Sequence, residues 1–172
     1  MRDNLLYVCG SLDLTAGGPD IDNLEGLKSR RRSIYLRCAA EKEVEFLKIF
    51  DGPSVNECYQ RHPTVMPQQS LALANGELTL AQSKRLAAEL TGQTKSNDEA
   101  FVHDAYQRVL ARVPRPDELA ACLDYLRAKA PVAVTAPTEA APVESPTSTD
   151  PGRLRQNLVL VLFNHNDFVT IR

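Results

Sequence analysis

Tryptophan is absent from this chain of 172 residues and aromatic residues make up only 6%, so the stacking platforms on which bases or sugars are usually read are thin. No stretch approaches the roughly 20 apolar residues that a membrane-spanning helix needs, which sets membrane insertion aside. Neither sign of charge dominates. Lys+Arg 20 stand against Asp+Glu 22, a balance that argues against a dedicated nucleic-acid binder. The four cysteines, Cys9, Cys38, Cys58 and Cys122, form no Cys-x-x-Cys pair, which excludes a zinc ribbon, a thioredoxin-like pair and covalent haem attachment. Their wide, irregular spacing reads as free, partly buried thiols acting as small core hydrophobes, with one or two disulfides as the alternative for an exported chain. The N-terminus has no apolar signal-peptide core. It starts almost inside a helix, which fits a piece cut from a longer polypeptide with Met1 as an added start.

Hydrophobic residues at 43% and charged residues at 24% are ordinary globular values, and the length suits one domain with a real core. Periodicity makes that domain all-α, a multi-helix orthogonal bundle. Leu5, Cys9 and Leu12 predict a helix over 3–13. Thr15 to Asp20, with Gly17-Gly18-Pro19, must turn. Ser33-Ile34-Tyr35-Leu36-Arg37-Cys38 alternates and reads as a short strand or extended segment. Val44, Leu47 and Phe50 share a face of a helix over 40–50, stopped by Asp51-Gly52-Pro53. Pro67 suits a first helical turn, and Asn75-Gly76 either breaks the helix that follows or is carried through to Leu90.

The clearest helix is 98–112, where Phe101, Val102, Ala105, Tyr106, Val109 and Leu110 face one way and Ser96 or Asn97 caps the start. Pro114-Arg115-Pro116 then turns into a second helix bearing Leu119, Cys122, Leu123 and Leu126, which makes an αα-hairpin. Residues 130–151 carry five prolines, five alanines and four threonines with no Lys or Arg, the composition of a flexible insert. Leu154, Leu158, Val161 and Leu162 resume a helix, preferred over a buried strand at 158–163.

Candidates for chemistry are few. Arg30-Arg31-Arg32 suits phosphate or another polyanion, although a solvated or internally paired basic turn is the simpler reading. Cys58 and His62 are the one near Cys–His pair, too little for a zinc site or a nucleophile–base unit. Asp51 and Glu57 would serve acid–base work only if folded together. Arg61, His62, Gln68 and Gln69 cluster at a loop-to-helix entry, where free N–H groups favour anions. The simpler reading there pairs Arg61 with an internal carboxylate and has Gln68 satisfy loop carbonyls. No metal set, catalytic set or cofactor motif stands out.

Several segments in order resemble one family. They are Gly17-Gly18-Pro19, Arg31-Arg32-Ser33-Ile34-Tyr35-Leu36, Phe50-Asp51-Gly52-Pro53, Arg61-His62-Pro63-Thr64-Val65-Met66-Pro67-Gln68-Gln69, Ala105-Tyr106-Gln107-Arg108-Val109-Leu110-Ala111-Arg112 and Phe163-Asn164-His165-Asn166-Asp167-Phe168. Together they are similar to the domain of unknown function 1553, abundant in planctomycetes. Gln68-Gln69-Ser70 departs mildly from the family's commoner Leu-Gln-Ala. The resemblance implies the C-terminal part of a large exported protein, often following a cytochrome-c-like domain, with gene neighbours that suggest polysaccharide use. It assigns no activity and no catalytic residue, and any haem would belong to an upstream part.

Three readings follow. The first is a structural or interaction module that packs on upstream domains of the same polypeptide or on a partner protein. The second is part of an enzyme site acting on polysaccharide or another polymer, with Arg32, Asp51 and Arg61 converging and Gln68 as a further contact. The third is weak polyanion or nucleic-acid binding through Arg30 to Arg32.

Overall fold

A computed structural model describes residues 1–39, 44–50, 67–95, 97–127 and 151–169. Among them are eight α-helices, two 3-10 turns and no strand, so the all-α expectation holds. The insert at 130–150, the Asp51-Gly52-Pro53 stop, Cys58–His62 and most of the Arg61–Gln69 entry lie outside the described residues.

Helix α1 spans Arg2–Val8, shorter than the predicted 3–13, because the chain turns left-handed at Gly10 (φ +59°). Leu12 still packs against the core, but from beyond the helix. Residues 11–37 then run with little regular structure. They contain 3-10 turns at Asn23–Glu25 and Ser33–Tyr35 and two isolated parallel bridges, Asp13 with Arg31 and Ile21 with Leu36. The short strand or extended segment expected at 33–38 is therefore reduced to one bridge at Leu36. A 3-10 turn takes its first half because Asp3 fixes the amide and hydroxyl of Ser33.

Helix α2 covers Glu45–Ile49 with Val44 as N-cap, and α3 covers Pro67–Asn75. Asn75-Gly76 does break the chain, and α4 starts afresh at Glu77 and runs to Gln93. A Cβ at Gly76 would stand 2.3 Å from the Ala72 carbonyl oxygen, so no larger residue fits this join. Helix α5, Asp98–Leu110, is capped by Asn97, whose side-chain oxygen accepts from Glu99 N at 3.0 Å and Ala100 N at 3.3 Å. Asp98 and Glu99 in its first turn suit the helix dipole. Helix α6, Pro116–Arg127, folds back on α5 as the predicted hairpin. Pro151 opens α7, Pro151–Phe163, and α8 is the single turn Asn166–Val169.

The core forms where α4 and α7 pack along each other. Leu86 and Leu90 from α4, Phe101 and Val102 from α5, and Val159, Leu162 and Phe163 from α7 are at most 2% exposed. Leu5, Leu6 and Cys9 join them from α1. Truncating Phe101 or Phe163 to Ala at such a site typically costs about 3–5 kcal/mol.

The end of α5 works against this packing. Ala111, which ends α5, has φ +54° and ψ +27°, a left-handed conformation that costs a residue with a Cβ roughly 1–2 kcal/mol and that helices usually give to glycine. Ala111→Gly is expected to stabilise the domain by about 1 kcal/mol, a rise of roughly 2–4 °C in Tm for a chain of this size. Thermal unfolding checks it, and an unchanged or lower Tm contradicts it.

Candidate functional site

The most densely bonded polar group of the N-terminal region is one the motif reading passed over. Arg2 is fully buried. Its Nε donates to the Gly26 carbonyl at 2.8 Å and its Nη1 to the Arg31 carbonyl at 2.8 Å. Nη2 donates to the Ser29 carbonyl, while Nη1 also reaches Asp3 Oδ1 at 3.2 Å and Ser33 Oγ at 3.3 Å. Burial pushes this guanidinium below its ordinary pKa, and the Asp3 carboxylate opposes that shift. Asp3 in turn accepts from Ser33 N at 2.9 and 3.0 Å and from the Ser33 hydroxyl.

A second arginine extends the clamp. Arg31 Nη1 donates to the Pro19 carbonyl at 3.0 Å and Nη2 to the Gly17 carbonyl, and the guanidinium lies 4.0 Å from the Tyr35 ring centroid. The Tyr35 hydroxyl accepts from Gly17 N at 2.9 Å. Gly17 and Gly18 hold φ of +80° and +92°, which glycine alone adopts without strain. The Gly-Gly-Pro and Arg-Arg-Ser-Ile-Tyr segments are thus two halves of one internal clasp. At the far edge Arg37 Nε meets Asp20 Oδ2 at 2.6 Å.

This clasp places the sequence candidates. Of the arginine run, Arg31 is consumed internally, whereas Arg30 and Arg32 are exposed. Gln68 is exposed on the first turn of α3. Its neighbour Gln69 is buried and donates through Nε2 to the Ile49 carbonyl at 3.0 Å, the carbonyl-satisfying role that the sequence suggested for Gln68. Asp51 and Arg61 lie outside the described residues, so the expected convergence with Arg32 has no geometry here. Among the described residues no group of three or more His, Cys, Asp and Glu side chains converges on a point that could hold a metal, and no helix is long and apolar enough to cross a bilayer.

The clasp also forms one wall of a cleft of about 880 Å³. Residues 22–30 make a lip carrying Asp22, Leu24, Leu27, Lys28 and Arg30, and the first turns of α2 and α4 contribute Glu45 and Glu77. Leu6, Val44, Phe46 and Leu78 are its buried apolar lining.

Cys9, Cys38 and Cys122 are free. Burial pushes the Cys9 thiol up to about 12 and raises Cys122, which lies 3.8 Å from the Tyr106 hydroxyl. At the opposite end, Arg112 ties α5, α6 and α8 together. It donates from Nη1 and Nη2 to Glu118 at 2.8 and 2.9 Å and from Nε to Asp167 at 2.8 Å. This pairing, with the Arg115 amide as a further donor, pulls Glu118 from an ordinary 4.5 down to about 2.

The fold and site define a helical domain whose irregular N-terminal segment is fixed by buried and half-buried arginines. A family model described as a protein of unknown function, DUF1553, matches residues 1–126. The chain belongs to that family. The match takes in the whole clasp and the α5–α6 hairpin as far as Leu126, and it stops before α7. No curated protein and no solved structure matches the chain.

Lysine cannot supply the planar fork that Arg2 uses. Arg2→Lys should leave carbonyls of the lip unpaired and cost about 3–5 kcal/mol, the usual penalty for breaking a buried charged network. Denaturant unfolding with hydrogen exchange at Asp13, Ile21 and Arg37 checks it, and wild-type stability in the variant contradicts it. For Glu118 the sign follows from its lowered pKa. The stability it adds is complete above pH of about 4.5 and is lost as pH falls through about 2. Glu118→Gln should therefore flatten the acid limb of the stability profile, and a variant profile that parallels wild type between those values contradicts the assignment.

Proposed function

We propose that this domain is a structural and interaction module of an exported multidomain protein, packing on upstream domains of the same polypeptide or on a partner protein. The observation that supports it is how the clasp spends its groups. Arg2, Asp3, Arg31, Ser33 and Tyr35 direct their polar atoms inward to the chain's own backbone and to each other. The same segment holds Leu14, Leu24 and Ile34 outward, at 64%, 87% and 75% exposed. Large apolar side chains on a rigid, irregular surface are what a contact face supplies. The polyanion reading loses ground because the run at 30–32 has one of its three guanidinium groups committed to Gly17 and Pro19.

Hydrogen exchange tests the proposal. Amides of residues 13–37 should exchange about tenfold or more slowly in the intact native protein than in the isolated chain, since a covered surface opens less often. Identical exchange in the two would overturn the reading.

A further inference from the structure

We propose that the cleft between the 22–30 lip and the first turns of α2 and α4 is the docking groove for a peptide segment of a partner protein. The segment would have an apolar centre, an acidic side chain at one end and a basic side chain at the other. The inference rests on the interaction-module reading and names its contact site and the chemistry of what it holds.

Size alone does not choose the occupant, because about 880 Å³ falls within the range of roughly 300–1,000 Å³ common to ligand pockets. The distribution of groups does. The buried lining, Leu6, Val44, Phe46 and Leu78, is apolar. The lip carries Leu24 at 87% exposed and Leu27 at 39%, so much of its apolar surface faces solvent and is covered only by a ligand that reaches past the cavity mouth. That favours a chain segment over a compact small molecule.

The charges select its ends. Lys28 and Arg30 stand on the lip, while Glu45 and Glu77 stand on the helix starts. Among the described residues none of the four is held in an ion pair. The one acidic lining group on the lip, Asp22, is turned to the Leu24 amide, and the basic pair and the helix-start glutamates do not neutralise one another by contact. A polyanion or an anionic lipid surface would satisfy Lys28 and Arg30 but meet repulsion from Glu45 and Glu77. A segment with one acidic and one basic end satisfies both pairs, and an apolar centre with a charged rim is ordinary interface anatomy. The lip is also set before binding. Arg2 Nε holds the Gly26 carbonyl at 2.8 Å, and Asp22 Oδ1 caps the 3-10 turn through Leu24 N at 3.1 Å, so docking costs little ordering of the wall.

The test is fluorescence anisotropy with the whole chain and three dye-labelled synthetic peptides of one composition. In the first, an aspartate precedes a leucine-rich centre and a lysine follows it. In the second the order is reversed, and in the third the charges are moved into the centre. One of the two ordered peptides is expected to bind at least about tenfold more tightly than the scrambled one, a difference of about 1.4 kcal/mol. Reversing the rim with Lys28→Glu, Arg30→Glu, Glu45→Lys and Glu77→Lys together should invert the preference between the two ordered peptides. Leu24→Ser, a surface change that leaves the core untouched, should weaken the preferred peptide by about tenfold.

Equal binding of ordered and scrambled peptides, no binding, or a preference unmoved by charge reversal overturns the proposal. Self-association that Leu24→Ser abolishes also overturns it, by making a second copy the occupant. If the peptides fail while residues 13–37 still exchange more slowly in the native protein, the groove assignment falls and the module reading stands. If that slowing is absent too, both fall.

Discussion

A single guanidinium fixes the N-terminal third of this protein. Removing a charged arginine from water costs several kcal/mol unless its donors are satisfied in good geometry. Arg2 meets that condition with the carbonyls of Gly26, Ser29 and Arg31 and with Asp3 and Ser33. The three carbonyls come from a stretch with almost no regular secondary structure, so backbone groups that a helix or sheet would pair are instead gathered around one planar fork. The rest of the clasp depends on this. Ser33 is oriented by Asp3, and Arg31, whose own carbonyl Arg2 holds, reaches on to Gly17, Pro19 and the Tyr35 ring.

The same device recurs in the helical half. Arg2, Leu5, Leu6 and Cys9 occupy positions i, i+3, i+4 and i+7 of one buried stripe, and so do Arg155, Leu158, Val159 and Leu162 on α7. Arg155 is 5% exposed, reaches Asp98 Oδ1 at 2.7 Å and lies 5.0 Å from the Phe101 ring centroid. It therefore joins α7 to the first turn of α5, where its charge is matched without leaving the apolar seam. Each arginine heads a stripe whose remaining positions are apolar. Such groups add less to net stability than to the choice of one arrangement, since any alternative packing strands the charge.

The helices were legible in the sequence where apolar spacing and caps agreed. Helix α5 shows both, with six inward side chains and Asn97 as cap, and its hairpin with α6 follows from Pro114 and Pro116. Helix α7 is legible in spite of its β-branched run because Leu158 and Leu162 sit at helical spacing, but its inward face takes in Val159, whereas Val161, which the sequence places on that face, is 64% exposed. Of the two readings of 33–38, short strand or extended segment, neither foresees the 3-10 turn at Ser33–Tyr35, because alternation cannot reveal that Asp3, thirty residues away, takes the Ser33 amide. Gln69 rather than Gln68 turns inward because phase on a short helix decides which of two adjacent glutamines is buried.

Arg2 itself left a signal, a polar residue in phase with a buried stripe. It is hard to recognise because its acceptors are backbone carbonyls, which carry no side-chain signature. The motif resemblance runs through Arg31, Ser33 and Tyr35 without giving any of them a role. Their chemistry proved to be that of a clasp, and only the folded chain could show that their partners are Gly17, Pro19 and Asp3. The cleft is a product of the same long-range pairing, since its lip and its helix starts are separated in sequence and meet only after folding.

The central claim is that Arg2 is a fixed, fully engaged guanidinium. Nitrogen-15 NMR of the arginine side chains tests it most directly. The account predicts, for Arg2, separate and slowly exchanging Nη protons with rotation about the Nε–Cζ bond arrested, unlike exposed Arg30 and Arg32. An Arg2 signal averaged by fast rotation and exchanging like those of the surface arginines would contradict it.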